Sequence, residues 1–201
     1  MSEIRNTIQK RETRTIAVGE LRVIAAADKM PGKIAGHAAK FDALSEDLGG
    51  FRERIAPGAF AKTIQSADIR ALWNHDANFV LGRNKSGTLR LSEDASGLAF
   101  EVDMPDTQTV RDLVMSPIAR GDVNQCSFGF STTSDKWAKV DGEWIRTLLE
   151  VDLFDVSPVT YPAYQQTDVA VRGLEQAMKS ASPPPDDSYR IENMRMRLKL
   201  A

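Results

Sequence analysis

The sequence predicts a mainly β protein with a few helices packed outside it, an α+β arrangement built on a mostly antiparallel sheet closed into a barrel. Three observations carry that expectation. Short apolar runs recur along the chain, separated by turn residues such as Lys85-Ser-Gly87. Phe51-Arg-Glu-Arg-Ile55 and Gly97-Leu-Ala-Phe-Glu-Val-Asp-Met104 alternate apolar and polar positions, as half-buried strands must. Asp141-Gly142 stands between two β-rich runs and is a strong hairpin signal.

Each element follows from local pattern. Residues 1–14 are charged and aperiodic and read as a loose leader. Thr15–Gly19 and Leu21–Ala26 give a first strand or strand pair, and Lys33–Phe41 another. After Phe51–Ile55, residues Ala56–Ile64 suggest a short helix with Pro57 in its first turn. Ile69–Trp73, Phe79–Arg83, Thr88–Leu91 and Gly97–Met104 are strands. Val110, Leu113, Val114 and Ile118 then recur at near-helical spacing, with Pro105-Asp106-Thr107 as the start and Pro117 ending or kinking the helix late. Val123–Phe130 is a strand, Asp135–Val140 and Glu143–Leu153 form the hairpin, Val156–Tyr161 is a last buried strand, and Thr167–Arg172 an edge strand. Residues 172–179 suit a helix, 180–188 are a Pro-rich linker, and 189–201 alternate charge with Met and Leu. The organisation is therefore a leader over 1–14, a single domain over 15–179 and a linker with tail over 180–201.

Composition excludes several classes of function. A net charge of −2 gives no electrostatic case for nucleic acid or a membrane surface. No apolar run reaches the ~20 residues that cross a bilayer. Cys126 is the single cysteine, so no internal disulfide forms. Two widely separated histidines with one cysteine make no zinc pattern, and no Gly-rich phosphate loop is present, so neither a metal nor a cofactor is expected.

The chemistry concentrates on three strands. Ser127 lies in Val123-Asn-Gln-Cys-Ser-Phe-Gly-Phe130, where Gly129 removes a side chain two positions away and signals a close backbone approach. Cys126 and Ser131 are alternative nucleophiles, although adjacent strand residues face opposite sides, so Cys126 and Ser127 cannot both face a cleft. His75, in Trp73-Asn-His-Asp76 at a strand end, is the general-base candidate, because an imidazole's ordinary pKa of about 6.5 suits proton transfer near neutral pH. His37 is its rival. Glu150, in an otherwise apolar run, is the first choice for the acid that orients the histidine, with Asp152 and Asp155 behind it. A serine, a histidine and a carboxylate are the parts of a nucleophilic triad, and their chain order is no objection.

At these residues the chain resembles the prohead maturation proteases of tailed phages, a family related in fold to the herpesvirus assemblins. Phe51-Arg-Glu-Arg-Ile-Ala-Pro-Gly-Ala-Phe60, Leu72-Trp-Asn-His-Asp-Ala77 with Val80-Leu-Gly-Arg83, Cys126–Phe130 and Leu149–Ala163 carry the resemblance, which spans about residues 20–172. It implies an assemblin-like fold and a serine endopeptidase with Ser127 as nucleophile, His75 as base and Glu150 as third member. The implied substrates are the scaffolding segment of the phage major capsid protein and the protease itself, inside the immature capsid in the host cytoplasm. Backbone N–H groups near residues 160–164 would hold the oxyanion. Herpesvirus relatives work as dimers, so a homo-oligomer is left open, although no dimer-specific pattern stands in the sequence. Two other classes compete: a non-enzymatic capsid scaffold module, and a small-ester hydrolase, which the absence of a Gly-x-Ser-x-Gly elbow disfavours.

Overall fold

The structure, a computed structural model, describes residues 11–17, 21–25, 32–161, 172–175 and 177–178. The chain divides into two units, Met1–Thr167 and Asp168–Ala201. In the second, the described residues are helical, as read for 172–179. The linker, the tail and all of the expected edge strand except Arg172 lie outside the described residues.

The first unit is mainly β. Its strands are β1 (Glu12–Ala17), β2 (Arg22–Ile24), β3 (Lys33–Lys40), β4 (Phe51–Ile55), β5 (Arg70–Trp73), β6 (Asp76–Arg83), β7 (Leu89–Glu93), β8 (Gly97–Asp103), β9 (Gln125–Val140) and β10 (Glu143–Val159). Helix α1 is Thr63–Ser66; α2 runs over 108–120 as Gln108–Val110, a π turn Arg111–Met115 and Ser116–Arg120.

Two sheets form, not one closed barrel. The first has the order β1-β9-β10-β5-β6 with β4 also on β10, and the second β2-β3-β8-β7. A single parallel bridge, Phe41 to Ile55, joins them among the described residues. Nor is the larger sheet wholly antiparallel. β10 pairs with β9 along its length, while its other edge is parallel first to β4 at Trp144–Leu148 and then to β5 at Asp155 and Val156. A strand long enough to serve two short parallel neighbours in succession replaces the closure the short runs suggested. The same length explains why the segments read as separate strands merge into β9 and β10. The hairpin between them is as expected, with Asp141 at φ +50° and Gly142 at +89°.

The core lies between the sheets. Phe60 packs edge-on against Phe128 of β9, with ring centres 5.5 Å apart and planes at 83°, and faces Phe41 at 6.4 Å. Phe128, Phe130, Leu148, Leu153 and Val156 join it from the larger sheet, and Ile34, Leu98 and Val102 from the smaller. The stretch 56–62 is a run of turns, and only Thr63–Ser66 is helical. Gly58 at φ +89° breaks the helix expected there, and the Phe60 N–H donates to Glu93 Oε1 at 2.8 Å instead of to a helical carbonyl. Pro117 does not end α2, which runs on to Arg120 and stops at Gly121, φ +82°. The π turn just before it accommodates the missing N–H.

Strand β1 begins inside the expected leader. Its charges are buried, not solvated. Arg14 makes a two-pronged pair with Glu53 at 2.8 and 3.0 Å and reaches Glu12 at 2.9 Å. Arg146 of β10 contacts Glu12 at 3.1 Å and Glu53 at 3.0 Å, and turns its Nε to Asp135 at 2.7 Å. Two cations and two carboxylates neutralise one another where unpaired charge would be prohibitive. Arg14 also lies over the Phe130 ring and Arg146 over Trp137.

Candidate active site

Strand alternation sends Cys126, Phe128 and Phe130 into the core and turns Ser127 and Gly129 to the other face of the sheet. Ser127 lies opposite Thr15 of β1 and Ser157 of β10, so it is flanked on both sides by backbone. Its side chain is fully buried.

His75 arrives from the β5–β6 turn. Trp73 pairs with Asp76, leaving Asn74 and His75 as a two-residue loop with φ of +52° and +59°. A hairpin this tight requires left-handed residues, and Asn and His tolerate that region better than most. Asn74 moors the loop to the end of β10. Its N–H donates to the Pro158 carbonyl at 3.0 Å, its Oδ1 accepts from the Thr160 N–H at 2.8 Å, and its Nδ2 donates to Thr160 Oγ1 at 3.3 Å.

The ring so placed spans two partners. Nε2 is 2.7 Å from Ser127 Oγ and Nδ1 is 2.5 Å from Asp155 Oδ1. Ser127 Oγ also donates to the Arg14 carbonyl at 2.9 Å, so one hydroxyl proton faces two acceptors. Asp155, 2 % exposed, accepts from Ser157 Oγ on the same Oδ1 at 2.7 Å and pairs through Oδ2 with Arg11. Burial works to raise the Asp155 carboxyl. The hydrogen bond and charge of His75, the Ser157 hydroxyl and the Arg11 guanidinium outweigh it, and the group lies below its ordinary 3.8. Gly129 has a second use here: a Cβ at that position would collide with the Asp155 carboxylate and come within 2.8 Å of Arg11 Nε. The close approach that glycine signalled is made by this ion pair.

The family model for the caudovirus prohead serine protease matches residues 20–180. The chain belongs to that family. This prohead serine protease is also similar in fold to a solved structure, the bacteriophage T4 capsid assembly protease gp21, with TM-score 0.50 and 10% identity over 76% of this chain and 98% of that one. No curated protein sequence matches it.

Of the residues singled out in the sequence, the structure brings His75 and Ser127 together and leaves Glu150 apart. Glu150 pairs with Lys62 at 2.8 Å on the surface, and Asp152 contributes to the same field. Asp155, placed with Asp152 behind Glu150, is the acid on the histidine. His37 lies on the other sheet against Asp94 at 2.8 Å. Cys126 faces the core, where burial pushes its thiol up to about 12. Ser131 is 2 % exposed and its Oγ has no hydrogen-bond partner among the described residues. Within the stretch 160–164, the Thr160 amide is engaged by Asn74, and 162–164 lie outside the described residues. Among the described residues no cluster of His, Cys, Asp or Glu is arranged to hold a metal, and no helix is long and apolar enough to cross a membrane. Three contributors went unremarked in the sequence. Ser157 follows Asp155 by two positions, which on a strand means the same face, and Asn74 precedes the histidine in a two-residue gap between strands; both were legible signals. Arg11, in the aperiodic leader, had none.

Proposed function

We propose that this chain is a serine endopeptidase using Ser127, His75 and Asp155, and that it cleaves the scaffolding segment of the phage major capsid protein, and then itself, inside the prohead. The observation that carries the catalytic part is the unbroken line Ser127 Oγ–His75–Asp155, at 2.7 and 2.5 Å, contributed entirely by one chain. His75 Nε2 takes the Ser127 proton as Oγ adds to the scissile carbonyl, and the imidazolium that results is held by Asp155. The tetrahedral intermediate expels the amine, which takes the proton from His75, and water then releases the acyl group by the same steps. Backbone N–H groups near Ser127 would hold the oxyanion. Ser127 is fully buried and tied to the Arg14 carbonyl, so attack on a substrate requires that this hydrogen bond be released and the hydroxyl be uncovered. The substrate assignment rests on family membership, and the Pro-rich sequence over 180–188 is the candidate segment for self-cleavage.

The test is incubation of the full chain with capsid subunits, followed by intact-mass spectrometry. The wild type should shorten the capsid protein and Ser127→Ala should not. Undiminished processing by Ser127→Ala removes that residue from the mechanism. Shell assembly with no shortened product from the wild type leaves a scaffold module as the function.

A further inference from the structure

Asp155 is pulled from two sides. Its Oδ1 accepts from His75 Nδ1 at 2.5 Å and from Ser157 Oγ at 2.7 Å, while its Oδ2 pairs with Arg11. The two outer partners differ in kind. Ser157 is fully buried on β10, directly opposite Ser127, and its backbone is held in the ladder. Arg11 stands before the first residue of β1 with its side chain 45% exposed. A guanidinium is a fork that takes both oxygens of a carboxylate when it can. With His75 alone on Oδ1, the carboxylate would turn both oxygens toward Arg11, which is half-exposed and can follow, and away from His75, which its tight turn holds in place.

We propose that Ser157 is a positioning residue of the active site: its hydroxyl locks Asp155 Oδ1 on the histidine against the competing pull of Arg11. This rests on the serine protease reading above and adds a fourth side chain to it. A serine that merely filled space on a buried strand could satisfy its hydroxyl on any carbonyl. This one spends its proton on the carboxylate oxygen that already serves His75, two residues away on the same strand.

The experiment measures the rate at which a fluorophosphonate reagent labels Ser127 in the full chain. Ser157→Ala should label about ten- to a hundredfold more slowly, the range set by losing a hydrogen bond to a charged group. Ser157→Thr, which keeps the hydroxyl, should stay close to the wild-type rate. Adding Arg11→Gln to Ser157→Ala should recover most of the loss, because the competitor is gone. A purely structural role predicts no such recovery. Ser157→Cys, nearly isosteric and a weak donor, replaces the alanine variant if that one does not fold. Equal labelling of wild type and Ser157→Ala, or a loss that Arg11→Gln deepens, overturns the positioning role and leaves the triad standing. A wild type that is not labelled, or labelling that survives Ser127→Ala, overturns the protease reading itself and the positioning role with it.

Discussion

Replacing Asp155 by Asn tests the third member of the site against the residue the sequence favoured. The carboxylate is 2 % exposed and 2.5 Å from His75 Nδ1, so it meets an imidazolium at contact with little water between them. At an effective dielectric of about 20, two unit charges some 4 Å apart attract by about 4 kcal/mol, close to a thousandfold in rate. Asn is nearly isosteric but can present its amide to Nδ1, which forces the ring proton onto Nε2, where it blocks acceptance from Ser127. The same exchange in an unrelated serine protease costs about 10⁴ in kcat. Arg11 already neutralises part of the Asp155 charge, so the expected loss here is nearer 10³. Glu150→Gln, made in parallel, removes an exposed pair with Lys62 and should leave the rate unchanged. The assay is single-turnover acylation by a peptide ester, with urea unfolding of each variant to confirm an intact fold. A large loss in Glu150→Gln beside near-normal turnover in Asp155→Asn would refute the assignment.

Two other expectations follow from buried groups. Cys126 is fully buried with its thiol pushed up to about 12, so iodoacetamide should leave the native protein unlabelled and react only after unfolding; rapid native labelling would contradict the packing. Arg146→Met should destabilise the fold by about 3–5 kcal/mol in urea unfolding, because Glu12 and Glu53 keep their buried charges with one cation fewer. Acid should act on the same cluster. Burial works to raise Glu12, the charges of Arg146 and Arg14 outweigh it, and the folded carboxyl lies below its ordinary 4.5. Its contribution to stability is therefore complete above about pH 4.5 and is lost as pH falls through the lower folded value, so the wild type should lose stability more steeply there than Arg146→Met.

Much of the site was legible in the sequence because its residues obey short-range rules. Asp141-Gly142 had to be a turn, and Trp73-Asn-His-Asp76 placed a histidine at a strand end. Small residues around Ser127 among large aromatics marked a strand with one face in the core. The carboxylate that contacts His75 was placed behind Glu150 for a specific reason. Counting in twos along a strand assumes an even ladder, but β10 shifts register between Leu148 and Glu150, between Glu150 and Val151, and between Leu153 and Asp155. Each shift changes which side chains share a face, and no pattern within the strand announces it. The barrel failed similarly. Apolar runs show that strands exist, but not that β10 is long enough to take β4 and β5 in succession. Residues 12–14 read as leader rather than strand because Glu12 and Arg14 look solvated until partners 134 and 39 positions away are known.

Those two charges also fix the candidate site from behind. Along β1, Glu12 and Arg14 point to the core face, where they meet Glu53 and Arg146. Arg11 belongs to the opposite face, where it meets Asp155. The Arg14 carbonyl, in the backbone between them, accepts from Ser127 Oγ at 2.9 Å. Slipping β1 by one residue against β9 would exchange its faces. Thr13 and Thr15 would then confront the buried carboxylate and guanidinium of Glu53 and Arg146, and two charged side chains would be driven into the site. Glu53 and Arg146 would keep each other but lose the hydrogen bonds they share with Arg14 and Glu12, and hydrogen-bonding groups left unsatisfied at that depth cost about 1–3 kcal/mol each, more where they are charged. The ion network is thus a register lock: it holds β1 in the one alignment that brings Arg11 to Asp155 and the Arg14 carbonyl to Ser127, and it does so from the opposite side of the sheet.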